Sequence, residues 1–205
     1  EPERVLQGSY PSPAELLPED KTTYFAYMDI PDMIFKKMEG VKGVTVQDGM
    51  QGQTQVLKGD FGVNIACVMP DYKYFMNTGI ADGRFFTESE YESGTPVCII
   101  GEKDAISLFG TTNVVGMKIP VDIYGTNVEF KIVGIEKARS DSFISFDYGE
   151  KSVSIIVPET MLRKVYGIEI DNFQGMYILA DKHADTYTLA KNAMALLDRV
   201  HKVED

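Results

Sequence analysis

Val97-Cys98-Ile99-Ile100 is an apolar run of four residues held between two breaks, Ser93-Gly94-Thr95-Pro96 before it and Gly101 after it. A run that short suits a single buried strand. Gly101 opens a helix over 102–109, with Ala105, Leu108 and Phe109 on one face, and Gly110 stops it. Upstream, Asp82-Gly83 is a turn dipeptide and Phe85-Phe86 an apolar pair. Thr87 stands three residues before Glu90, the capping-box spacing that starts a short helix. Asn113 to Gly116 makes another tight connection. From Asp82 to Gly116 the chain therefore alternates tight turns with short buried elements.

The rest of the chain supplies β–α–β patterns at its two ends. Residues 1–22 carry Pro2, Pro11, Pro13 and Pro18 and read as an extended lead-in arm. Thr23 to Met28 reads as a strand, Asp29 to Gly40 as a helix, and Gly43 to Val46 as the next strand. Gln51 to Gln55 is polar and glycine-bearing, a flexible turn. A hairpin around Lys58-Gly59-Asp60 and a short helix after Pro70-Asp71 follow. Met117–Ile123 and Val128–Ala138 read as an antiparallel pair joined at Tyr124-Gly125-Thr126-Asn127, with a bend at Gly134. Ser152–Val157 is a strand, Glu159–Tyr166 a helix and Met176–Ala180 a strand. Ala184–His201 is the longest helix, with Tyr187, Ala190, Met194, Leu197 and Val200 as its apolar stripe and Leu189, Ala193 and Leu196 adjoining it. The fold class is α+β. A β-α-β layer is built from both chain ends (23–80 and 151–205), and a β-rich subdomain is inserted at 81–150.

Charge excludes one class of partner. Acidic residues outnumber basic ones 31 to 20, for a net −11, whereas phosphate backbones call for a basic patch. No nucleic acid is expected. No apolar run approaches the ~20 residues of a membrane-spanning helix. The start at Glu1 and the finish at Asp205 fit a processed or excised soluble piece.

Few residues suggest chemistry. His183 lies between a strand and a helix and His201 at a helix end, neither with metal-ligand spacing around it. No Ser-nucleophile elbow, phosphate loop or zinc-protease motif occurs. Catalytic, cofactor and metal sites are therefore none. The acidic run Glu88-Ser89-Glu90-Tyr91-Glu92 reads as the solvated first turn of a capped helix. Asp141, Asp147 and Glu150 read as surface acidity. Cys67 and Cys98 each sit inside an apolar strand, as buried free thiols or, if those strands are adjacent, as a disulfide. Within the irregular segment 139–151, Phe143, Phe146 and Tyr148 are either packed on the core or a patch for a binding partner.

The order of motifs carries a resemblance. Met69 to Phe75 comes first, then Gly83-Arg84-Phe85-Phe86-Thr87, the strand Val97 to Gly101 with its helix ending Leu108-Phe109-Gly110, and Asn113 to Ile119. Phe130 to Ile135 and Ile156-Val157-Pro158 follow. Over about residues 30–203 this order resembles the extracytoplasmic core domain of MacB-type ABC transporter permeases, the MacB/FtsX-like family. The resemblance implies a non-catalytic domain on the outer side of the cell membrane, set between membrane helices. It implies a second permease subunit and a cytoplasmic ATP-binding subunit or domain as partners, with a peptide, lipoprotein or cell-wall protein as a further one. The implied role is to couple cytoplasmic ATP hydrolysis mechanically to export or extraction of a substrate. The alternative is a sensing or regulatory domain that binds an antimicrobial peptide or a cell-wall hydrolase. In that family's terms the two-ended layer is membrane-proximal and the insertion is the outer subdomain.

Overall fold

The computed structural model describes residues 5–8, 35–76, 79–137, 151–167 and 175–201. It separates into two compact units, one of residues 1–47 and 171–205, the other of residues 48–170.

The first unit joins both ends of the chain. Strand β1 (Val5–Gly8) runs antiparallel to β9 (Gly175–Ala180), pairing Val5 with Leu179 and Gly8 with Met176. On its other side β9 runs antiparallel to the first half of β2 (Val41–Val56), with Val44 opposite Ile178 and Val46 opposite Met176. Val44, Val46, Met176, Ile178 and Leu179 are buried. Gly40 precedes β2 at φ +83°, and a Cβ there would meet that of Ala184 at 2.9 Å. The Asp181 amide donates to the Gly40 carbonyl at 2.8 Å, so the chain leaving β9 is pinned where β2 begins. The final helix, here α4 (Thr186–His201), starts two residues later than the sequence suggests. Asp185 precedes it, its carboxylate accepting from the Thr188 hydroxyl at 2.6 Å and the Tyr187 amide at 3.1 Å. The expected apolar stripe also turns. Leu189 and Ala193 are buried, whereas Tyr187 and Met194 are exposed. The helix carries two adjacent apolar lines, and packing selects the one with the smaller side chains. The strand expected at 23–28 and the first half of the helix expected at 29–40 lie outside the described residues; within 35–40 there is a 3-10 helix, Phe35–Lys37.

In the second unit the strands close on themselves. The second half of β2 pairs with β3 (Gly59–Val68) across the turn at Leu57-Lys58. β3 runs parallel to β8 (Ser152–Pro158), from Gly62 opposite Ser152 to Val68 opposite Pro158. β8 is antiparallel to β5 (Val97–Gly101), and β5 is parallel to β7 (Thr126–Glu136). β7 is antiparallel to β6 (Lys118–Ile123), and β6 returns to β2 through Gln53 opposite Asp122. β2-β3-β8-β5-β7-β6 is thus a closed ring of strands, and closure removes exposed edges. Strand β4 (Ile80–Gly83) pairs with the far end of β7.

Alternation divides the side chains. Val63, Ile65 and Cys67 of β3 and Val153, Ile155 and Val157 of β8 are all at most 2% exposed. Their neighbours Ala66, Val68 and Ile156 face the other way. There they join Val97, Ile99, Val133 and Phe86, with Tyr72, Phe85 and Tyr91 packed alongside. β5 is buried on both faces, which is why Val97–Ile100 reads as an unbroken apolar run.

Helix α1 (Glu88–Ser93) and helix α2 (Glu102–Phe109) fall where the sequence puts them, each closed by a left-handed glycine, Gly94 and Gly110. The capping box is complete: the Glu90 amide donates to the Thr87 hydroxyl at 3.2 Å and the Thr87 amide to the Glu90 carboxylate at 2.8 Å. Helix α3 (Thr160–Tyr166) ends at left-handed Gly167. Arg84 grips Glu90 with two hydrogen bonds of 2.7 and 2.8 Å. The hydrogen bond from Arg84 is the largest cause that lowers the Glu90 pKa from 4.5 to about 2. A folded-state pKa below the unfolded value contributes stability that is present above the unfolded pKa and lost as pH falls through the folded one. Glu90→Gln keeps a capping acceptor but not the charge. It is expected to cost about 1–2 kcal/mol at pH 7, discounted because the Arg84 side chain is half exposed. In urea titrations the gap from wild type should shrink between pH 4.5 and 2; a gap that persists at pH 2 would sink this account.

Three local expectations are corrected. Gln51–Gln55 is no turn but part of β2, where it forms the seam of the ring. A Cβ on Gly52 would lie 2.7 Å from the Asp122 carbonyl oxygen and 2.8 Å from Val121 Cγ1, and the buried Thr54 hydroxyl donates to the Pro120 carbonyl. Asp82-Gly83 ends β4 instead of turning, at a register shift against β7. The β6–β7 turn has two residues, not four: Tyr124 at φ +51° and Gly125 at φ +85°. The compact units divide the chain at 47/48 and 170/171, and β3 and β8 are hydrogen-bonded into the same ring as β5 and β7.

A two-residue turn with both φ positive favours Asn-Gly. Tyr124→Asn is therefore expected to raise stability by about 0.5–1 kcal/mol. Loss of stability in thermal unfolding would contradict the strain assigned to Tyr124.

Candidate binding groove

The residues expected to meet a partner, Phe143, Phe146 and Tyr148, lie outside the described residues, as do Asp141, Asp147 and Glu150. Glu88 and Glu92 are exposed on α1, while Glu90 is committed to Arg84 and the helix cap. His183 is exposed in the loop before α4. Among the described residues no group of three or more His, Cys, Asp or Glu could hold a metal ion. Cys67 and Cys98 are free and buried.

The second unit contains a groove of about 650 Å³, within the ~300–1,000 Å³ usual for small-ligand sites. β2 contributes Gln51 and Gln53, β3 contributes Gly62 and Asn64, β8 begins with Ser152 after Lys151, β6 contributes Asp122 and the β6–β7 turn brings Tyr124. The fold sets these residues in place through the backbone. Gln53 is opposite Asp122 and Gly62 is opposite Ser152. The Gly62 amide donates to the Lys151 carbonyl at 2.9 Å. Asp122 Oδ1 accepts from the Gly125 amide at 3.0 Å, which holds the turn that carries Tyr124.

Three features set the chemistry of this groove. The floor at Gly62 is bare: an added Cβ would have no neighbour nearer than 3.9 Å, and its φ lies outside the left-handed region. The Asn64 amide nitrogen is enclosed and has no hydrogen-bond partner among the described residues, an arrangement that ordinarily costs about 1–3 kcal/mol. Tyr124 is 86% exposed. One carboxylate, Asp122, and one ammonium, Lys151, balance each other in a chain of net charge −11. Side-chain amides, a hydroxyl and an open ring are the means of hydrogen bonding and stacking, which is binding chemistry.

The sequence reading missed this groove because it took Gln51–Gln55 for a turn. The available signals were the alternation Gln51, Gln53, Gln55, which is a strand period, and an aromatic residue before Gly125 where asparagine is preferred.

Comparison with known proteins places this geometry in a family. The family model described as the MacB-like periplasmic core domain matches residues 4–196. An uncharacterized ABC transporter permease of Bacillus subtilis, YknZ, is 25% identical over 170 residues, 83% of this chain and 40% of that protein. The macrolide export ATP-binding/permease protein MacB of Bdellovibrio bacteriovorus is 28% identical over 108 residues, 53% of this chain and 16% of that protein. The chain thus spans less than half the length of these relatives. The crystal structure of the extracellular domain of the noncanonic ABC-type transporter YknZ from Gram-positive bacteria superposes with a TM-score of 0.66 at 20% identity, covering 97% of this chain and 95% of that one.

Proposed function

The chain belongs to the MacB-like periplasmic core domain family, and from that membership we propose that it is the extracytoplasmic domain of an ABC transporter permease that transmits force. In this reading it catalyses nothing itself. A cytoplasmic ATP-binding subunit or domain hydrolyses ATP, two permease copies pair, and their closure is passed to the outer domains to export or extract a substrate. The observation that supports a mechanical role is the make-up of the first unit. The first and last described strands, β1 and β9, are hydrogen-bonded neighbours, and α4 follows β9 in the same unit. A displacement applied to either end of the chain enters a single hydrogen-bonded body. No helix among the described residues is long and apolar enough to cross a membrane, so any membrane coupling would run through other segments.

The test uses the full-length permease with its ATP-binding partner in lipid nanodiscs. His183→Cys puts an exposed thiol on this domain of each copy, while Cys67 and Cys98 are buried away from the label. Spin labels at these sites report the distance between the two copies. We expect that distance to change between the ATP-bound, hydrolysis-blocked state and the ADP state. A distribution that is the same in both states would rule out force transmission through this domain.

A further inference from the structure

Tyr124 is the residue whose placement the fold leaves unexplained. It takes the first left-handed position of a two-residue turn, at φ +51°, where Asn, Asp or Gly would sit without strain. Its ring is 86% exposed, so little burial offsets that strain. Backbone strain at an exposed aromatic residue points to a use outside folding. The ring stands at one wall of the groove described above. Gln51, Gln53, Asn64 and Gly62 line the same groove, and Gln51 and Gln53 are exposed.

This set of groups selects a ligand class. Planar amides both donate and accept, so they suit ligands dense in hydroxyl and carbonyl oxygens. An open phenol ring offers an apolar face to a ligand that is itself polar only at its rim. The balanced Asp122 and Lys151 favour a ligand without net charge. An extended peptide fits less well. Peptides captured by sheets add to a free strand edge, and here β2, β3 and β8 each have partners on both sides. We propose that the groove binds a neutral oligosaccharide, with one pyranose ring stacked on Tyr124 and sugar hydroxyls bonded to the exposed side-chain amides of Gln51 and Gln53. This binding does not depend on the force-transmitting role, and either can fail alone.

The test is a ¹H–¹⁵N NMR titration of the 205-residue chain with two saccharides, chitotetraose and cellotetraose, and with tetraglycine amide as a peptide control. The two sugars separate recognition of acetamido groups from recognition of hydroxyls. The expected result is saturable binding of at least one sugar, with a Kd of roughly 0.1–10 mM. The shifts should be confined to the Gln51, Gln53 and Asn64 side-chain amides and the backbone of Gly62 and Gly125. Tyr124→Asn should weaken binding about 10-fold or more while the melting temperature holds or rises. Gly62→Leu, which fills the floor without demanding a left-handed backbone, should abolish it. If Gly62→Leu fails to fold, Tyr124→Asn still decides. No saturable shift with either sugar up to about 20 mM would overturn the proposal. So would undiminished binding by Tyr124→Asn, or stronger shifts at the same residues from the peptide.

Discussion

Gly134→Ala is expected to cost about 3 kcal/mol or more and to unfold much of the population near physiological temperature. Gly134 lies in β7 where β4 and the chain after it press closest. A Cβ there would sit 2.2 Å from the Arg84 carbonyl oxygen, 3.1 Å from its carbonyl carbon and 3.4 Å from its nitrogen. All three are backbone atoms, so no rotamer relieves the clash. Moving Arg84 away breaks the hydrogen bond from its amide to the Val133 carbonyl at 2.9 Å. The constraint is mutual, because a Cβ on Gly83 would meet that same Val133 oxygen at 2.3 Å. The chain then leads directly into Phe85 and Phe86, whose rings lie 4.2 Å apart and belong to the outer cluster. Displacing Arg84 therefore loosens that cluster as well. Gly116→Ala is the control. Gly116 has φ +90° but nothing within 4 Å of an added Cβ, so it should lose only about 1 kcal/mol. Urea unfolding of both variants decides the matter. Equal losses would mean that the close approach at Gly134 is not the controlling contact.

The legible parts of this fold were those governed by local chemistry. The Thr87–Glu90 cap, the helix over 102–109 and its stop at Gly110 are set by neighbours within a turn or two, and they appear where the residues put them. Ring closure was not legible. The parallel pairing of β3 with β8 joins residues about 90 positions apart, and nothing in either strand names its partner. That pairing draws β3 and β8 into the same ring as β5 and β7. The groove was hidden for a related reason. Its walls come from four separate strand ends, and Gly62, which makes its floor, contributes only the absence of a side chain. Helix α4 shows the limit of periodicity itself. Two apolar lines satisfy the same spacing, and only packing distinguishes the buried Leu189 from the exposed Tyr187.

In the native chain both thiols should resist modification by at least ~1,000-fold relative to the urea-unfolded chain, because a reagent reaches them only through global opening. Cys67 and Cys98 are each 0% exposed, and burial is the leading cause that pushes both thiol pKa values up. The thiolate, the form that attacks a reagent or a disulfide, is thereby suppressed. Geometry also forbids a bond between them. Cys67 is opposite Val157 across the parallel β3–β8 pair. On the other side of β8, the register that sets Ile99 against Ile156 sets Cys98 against the same Val157. Two strand spacings separate the sulfur-bearing residues, about 9.5 Å, beyond the ~7 Å that a disulfide spans. The disulfide left open by the sequence is closed off by the interposed strand. An oxidant such as copper phenanthroline should accordingly give no internal cross-link without denaturant. Cross-linking under native conditions would overturn the register that places β8 between the two cysteines, and rapid labelling of either cysteine in the native chain would contradict its burial. A domain on the oxidising side of a membrane would thus keep two reduced cysteines because Val157 stands between them, and both serve as small apolar core residues.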